Sequence, residues 1–168
     1  MRRIVLLLTL PVLLATAAFA QIDPQAIFVK HLKISRDFTL KVAEQMPEAD
    51  YGFKLTPPQM SFAEQMVHLS QGAEYFLSPI FGGKPNPAKP ASLKKADVIA
   101  FIRTSFDATI DKVSKLTHQD IIKTYTSEEG TMTGLELLIG LLDHTTHHRA
   151  SAEMYLRAKG ITPAEYQF

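Results

Sequence analysis

Thr133 to Gly160, TGLELLIGLLDHTTHHRASAEMYLRAKG, decides the fold. Thr133 stands three residues before Glu136, the spacing at which a hydroxyl and a carboxylate cap each other's exposed amides, so a helix starts here. Gly160 can take the left-handed conformation that ends a helix, and Pro163 prevents it from resuming. Between these marks Leu135, Leu137, Leu138, Leu141, Leu142, Met154, Tyr155 and Leu156 are expected to form the interior face. Gly140 disfavours a helix by about 1 kcal/mol relative to Ala, too little to break it and enough to suggest close packing.

Three further segments carry the same period. From Asp23 to about Met46, Ile27, Phe28, Ile34, Phe38, Val42 and Met46 suit one buried stripe, with Pro24 at the front and Pro47 closing it. Ser61 and Glu64 form a second capping box, opening a helix whose inner side is Phe62, Met66, Leu69, Ala73, Phe76, Leu77 and Ile80. Gly82-Gly83 and the prolines at 85, 87 and 90 end it. A third helix is expected from Ser92 to Leu116, with Val98, Phe101, Ile102, Ser105, Phe106, Ile110 and Val113 inward. Residues 47–60, with Tyr51, Phe53 and Thr56-Pro57-Pro58, read as a loop folding back over the helices. Residues 117–132 also read as loop, because a strand around Ile121-Ile122 and Tyr125 would find no partner. Four amphipathic helices bury their stripes by packing together, which predicts an all-α four-helix bundle with connections long enough for one crossover.

The chain has 168 residues and no Cys, and its first twenty set a compartment. Arg2 and Arg3, an apolar stretch from Ile4, and Ala18-Phe19-Ala20 before Gln21 read as a signal peptide, residues 1–20, cleaved to leave one domain at 21–168. The alternative, a retained anchor, is disfavoured because the run is short for a bilayer span and contains Pro11. A periplasmic or secreted protein without stable membrane insertion follows. Lack of cysteine excludes disulfides, a protein thiolate nucleophile and Cys-ligated metals. The whole chain carries 18 basic and 17 acidic residues, and removing Arg2 and Arg3 leaves 16 against 17, a net of −1. That balance argues against nucleic acid as partner.

Asp143-His144-Thr145-Thr146-His147-His148-Arg149 is the chemical anomaly. His144 and His148 are one turn apart on the stripe that includes Leu137, Leu141, Ser151 and Tyr155. Two imidazoles stand where a bundle normally places leucines, and a shared divalent ion would satisfy one nitrogen of each. Position 145 is Thr rather than the Glu of the His-Glu-x-x-His metalloprotease helix, so that chemistry is disfavoured. Ordinary core or surface histidines remain the alternative reading. His68, at the margin of the second helix's apolar face, is the best third ligand. His147 is expected at the periphery, and His31 and His118 in solvent or ordinary hydrogen bonds. Glu64 and Asp143 are candidate ligands or hydrogen-bond acceptors. Together with Tyr155 they are also the candidate catalytic groups for proton transfer or orientation.

Several stretches resemble the DinB-like family, also described with the YfiT-like proteins. They are Thr56-Pro57-Pro58, Ser61-Phe62-Ala63-Glu64-Gln65-Met66-Val67-His68-Leu69, Asp143 to Arg149, and the ending Tyr155-Leu156-Arg157-Ala158-Lys159-Gly160-Ile161-Thr162-Pro163. The resemblance implies a four-helix bundle holding one divalent metal on His68, His144 and His148, often as a dimer. It also implies, for some members, transfer of a low-molecular-weight thiol such as bacillithiol or mycothiol, or a thiol-dependent isomerisation. Two features depart from the pattern: Ala150-Ser151 stands where the family commonly has Gly-Gln, and an export signal is unusual beside a cytoplasmic thiol. Zinc or nickel suits three imidazoles best, with iron or manganese as alternatives. The expected function is an exported divalent-metal-binding protein that transfers a low-molecular-weight thiol to an electrophilic substrate. A metal-dependent hydrolase and a non-catalytic metal- or ligand-binding bundle are the alternatives.

Overall fold

The computed structural model describes residues 22–127 and 130–167; the signal-peptide reading of residues 1–20 lies outside them. Four long helices, α1 (Pro24–Gln45), α2 (Phe62–Phe81), α3 (Lys95–Ser114) and α5 (Gly134–Ala158), form the expected bundle. A short α4 (His118–Ile122) and two strands, β1 (Thr124–Ser127) and β2 (Gly130–Thr133), lie between α3 and α5. No described helix is long and apolar enough to cross a membrane.

Caps fix the long elements where the chain first showed them. Asp23 accepts from the Ala26 amide at the start of α1, and reciprocal boxes join Ser61 to Glu64 and Thr133 to Glu136. Gly160 takes φ +74 just past α5, where the left-handed conformation favours glycine. α3 begins three residues later than expected, and Ser92 instead bonds the Asp97 carboxylate beside the helix start.

The helices pack around a ring in the order α1, α3, α2, α5. Contacts at their ends give the directions. Gln25 bonds the carbonyls of Ser114 and Leu116, while Lys95 bonds those of Glu44 and Met46, so α1 and α3 are antiparallel. Gln65 meets His148 while Gly72 meets His144, so α2 and α5 are antiparallel too. Phe62 and Met66 near the start of α2 share one apolar cluster with Val98 and Ile102 near the start of α3, and Leu77 near the end of α2 shares the other with Val113 near the end of α3. Helices α2 and α3 therefore run the same way, and the connection 82–94 must return along the bundle. Twenty residues of helix span about 30 Å, which thirteen extended residues can cover. The proline-rich stretch is that crossover, held against α2 by the Gln71 amide on the Ala88 carbonyl at 2.7 Å.

Two apolar clusters fill the interior. Phe38, Tyr51, Phe62, Met66, Ile102 and Tyr155 belong to one end. Phe28, Leu32, Leu77, Val113, Ile121 and Leu141 belong to the other. Ser35, Thr39, Ser61, Ser70, Thr109, Thr145 and Arg149 are polar side chains buried along with them. Ser70, Thr109 and Thr145 turn their hydroxyls back onto the carbonyl four residues earlier.

Segment 117–132 departs from expectation. Thr117 and Asp120 make a capping box that starts α4, and β1 does have a partner, the segment Gly130–Thr133. The antiparallel register pairs Thr124 with Thr133 and Tyr125 with Met132. Strands of four residues are too short to show an alternation, so their pairing was invisible in the sequence. Some expected interior positions are also outside: Ile27 is 45% exposed, Leu135 41% and Met154 55%. On α5 the buried stripe runs instead through Leu137, Leu138, Leu141, Thr145, Ala152, Tyr155 and Leu156.

Candidate metal centre

His68 projects from α2 and His144 and His148 from α5, the two helices that pack most extensively. One nitrogen from each ring can be chosen so that all three lie within 4.8 Å of one another. Among the described residues this is the group of His, Asp and Glu side chains placed to share an ion. All three rings are half-buried.

The ring nitrogens are sorted by their neighbours. Nδ1 of His148 donates to Gln65 Oε1 at 2.8 Å, which leaves the Nε2 lone pair free. Nε2 of His144 lies 3.3 Å from Nε2 of His68. Two lone pairs at that distance repel unless a proton or a cation lies between them. The spacing also matches ligands bound at about 2.0–2.1 Å to one tetrahedral ion, which are roughly 3.3 Å apart. Nδ1 of His144 is buried with no partner and rests against Gly72, where an added Cβ would collide with the ring. Gly72 thus gives the imidazole its place, and Nε2 is the ring nitrogen turned towards His68.

Burial keeps the rings neutral. His144 is pushed down to about 4, first by desolvation and then by His68 and His147; His148 is also pushed down to about 4, by desolvation and its histidine neighbours. Burial lowers His68 as well. Neutral imidazole is the ligating form, so near neutral pH the cluster is ready for a cation without losing protons. Convergence, spacing and protonation state all fit a divalent ion.

The other candidates lie apart from the cluster's hydrogen bonds. Glu64 accepts from the Ser61 amide at 2.6 Å and faces Lys54 at 3.7 Å, contacts that hold its carboxyl below the usual range. Tyr155 is buried and donates to the Met60 carbonyl, while Asp143 is exposed. His147 is exposed and stands edge-on to His148. His31 is half-buried on α1, and His118 is exposed at the start of α4. Ser151 bonds the His147 carbonyl rather than reaching inward. Gln65 was not anticipated. Its signal was position alone, one turn before His68 on α2.

A crossover four-helix bundle with imidazoles from two antiparallel helices meeting in one seam defines a class of protein. The chain belongs to the DinB family, whose sequence pattern matches residues 21–168. It is 25% identical over 138 residues to the uncharacterized protein YjoA of Bacillus subtilis (strain 168), covering 80% of this chain and 90% of that protein. Its fold is similar to that of a DinB-like protein from Bacillus cereus ATCC 10987, with TM-score 0.72, 17% identity, and 83% of this chain and 95% of that one covered. The crystal structure of Bacillus subtilis YjoA is similar as well, with TM-score 0.70, 22% identity and coverage of 83% and 96%.

Proposed function

We propose that this chain is an exported protein that holds one divalent metal on His68, His144 and His148 and joins a low-molecular-weight thiol to an electrophilic small molecule. The observation that carries the reading is the convergence of three neutral imidazoles from α2 and α5 within 4.8 Å. A bound ion would supply Lewis acidity, lowering the pKa of a thiol placed beside it. The thiol gives its proton to solvent, its sulfur forms a bond to the electrophilic carbon, and the leaving group departs with the electron pair of the broken bond.

One feature favours a thiol over water as nucleophile: Glu64 is held by its cap and Tyr155 by a carbonyl, so neither hydrogen-bonds to the cluster as a base. The protein's lack of cysteine does not oppose this, because the sulfur arrives with the cosubstrate. Zinc or nickel suits the donor set best. Export rests on Arg2, Arg3 and the segment ending Ala18-Phe19-Ala20.

Protein recovered without a tag from its own compartment is expected to begin at Gln21 and carry about one divalent ion per chain. His144→Ala or His148→Ala should remove most of that metal, as read by elemental analysis. Wild-type protein that is metal-free and cannot be reconstituted overturns the reading. If the metal is present, the thiol step is tested by loss of free thiol on mixing with electrophiles.

A further inference from the structure

The seam between α2 and α5 continues past the histidines. Along α2, His68, Gly72, Phe76 and Pro79 succeed one another at helical spacing, and His148, His144, Gly140 and Leu137 do so along α5. Beyond Phe76 the seam opens into a cavity of about 350 Å3, within the size range of small-molecule sites. Its walls are Tyr75, Phe76 and Pro79 of α2, Leu137 of α5, Met132 of the hairpin, and Lys84 of the crossover. Leu137 lies seven positions before His144 on α5, about 10 Å along the axis.

Phe76 is the partition between cavity and cluster. Its ring lines the cavity and stands edge-on to His144, with centroids 5.8 Å apart. Gly140 makes room for it, since a Cβ there would come within 2.5 Å of the ring. Apart from the Tyr75, Ser78 and Thr126 hydroxyls the side chains of the wall are apolar or aromatic, and Lys84 is its one charged side chain among the described residues. An apolar slot with aromatic faces and a single cation at its exposed edge is complementary to a flat apolar body bearing one negative group.

We propose that this cavity binds a small aromatic monoanion, its ring system between Phe76 and the Leu137–Met132 wall and its carboxylate or sulfonate at Lys84. The end nearest Phe76 then faces the histidine cluster. Delivery of that end to a metal rests on the function proposed above; occupancy of the cavity does not.

The test uses the full mature protein and two fluorescent probes, 1-anilinonaphthalene-8-sulfonate and the uncharged N-phenyl-1-naphthylamine. Both are expected to bind saturably at one site. Thr126→Trp, which fills the cavity from the exposed hairpin, should weaken both by roughly tenfold or more, and Ser78→Trp should do so from α2. Lys84→Ala should weaken the sulfonate about two- to fivefold and leave the neutral probe unchanged. The sulfonate should shift the His144 ring signals in NMR spectra of wild type but not of Thr126→Trp. Absence of saturable binding, or binding that survives both filling variants, overturns the site. Equal effects of Lys84→Ala on the two probes overturn the preference for anions, and unmoved His144 signals overturn its orientation. His144→Ala separates the two readings: it should strip metal while leaving the probes bound.

Discussion

Gln65 determines which nitrogen of His148 is available. By accepting from Nδ1 it fixes the tautomer with the Nε2 lone pair free, the role that an outer hydrogen-bond partner has at metal sites. Gln65→Leu is expected to weaken metal binding about 10- to 100-fold with the fold intact, measured by competition with a coloured chelator, while Gln65→Glu keeps most of the affinity. Unchanged affinity in the leucine variant would remove this role. The histidine pair was legible in the sequence because an i, i+4 spacing on an apolar stripe is a local property. His68 was legible as a polar residue at the margin of a buried face. Gln65 was not, because a glutamine near a helix start reads as solvated until α5 is known to run antiparallel and bring His148 opposite it. Ser151 misled for the related reason that its hydroxyl satisfied itself on its own helix.

At the scale of elements, capping chemistry carried the most information. The boxes at Ser61 and Thr133 placed the starts of α2 and α5 correctly because each depends on residues three apart. The hairpin escaped because its evidence is pairwise, between strands too short to declare themselves singly. Its junction with α5 is tight: a Cβ on Gly134 would collide with the Asp120 carbonyl and lie 3.0 Å from the Ile121 Cα. These are backbone atoms that cannot rotate away. Gly134→Ala is therefore expected to destabilise the protein by about 1–3 kcal/mol, read from the midpoint of a denaturant titration. Gly52→Ala, with nothing within 4 Å of the added carbon, should stay within about 0.5 kcal/mol. Equal effects would show that the junction yields.

For the molecule as a whole, the bundle was legible from four amphipathic periods, whereas its directions were not. A parallel α2–α3 pair is encoded in where a proline-rich connection ends, and length alone only permits it. The global stability should record the buried imidazoles through pH. Their ordinary value is 6.5, and His144 and His148 are pushed down to about 4 in the folded chain. Below pH 6.5 the unfolded chain takes up protons that the folded chain refuses, so metal-free protein should lose stability as pH falls from about 6.5 towards 4. That part of the loss should level off below 4. The capping carboxylates Glu64 and Glu136, held below 4.5, contribute their own loss lower in pH. Denaturation midpoints across pH 4–7, flattened in a His144→Gln/His148→Gln double variant, check the assignment. His68 and His144 are 76 positions apart in the chain. A polypeptide still emerging from a ribosome, or threading a translocation channel, presents the first donor long before the other two exist beside it. Under the proposed function, an ion bound here would be drawn from the surroundings in which folding finishes, and the metal supply of that place would select it.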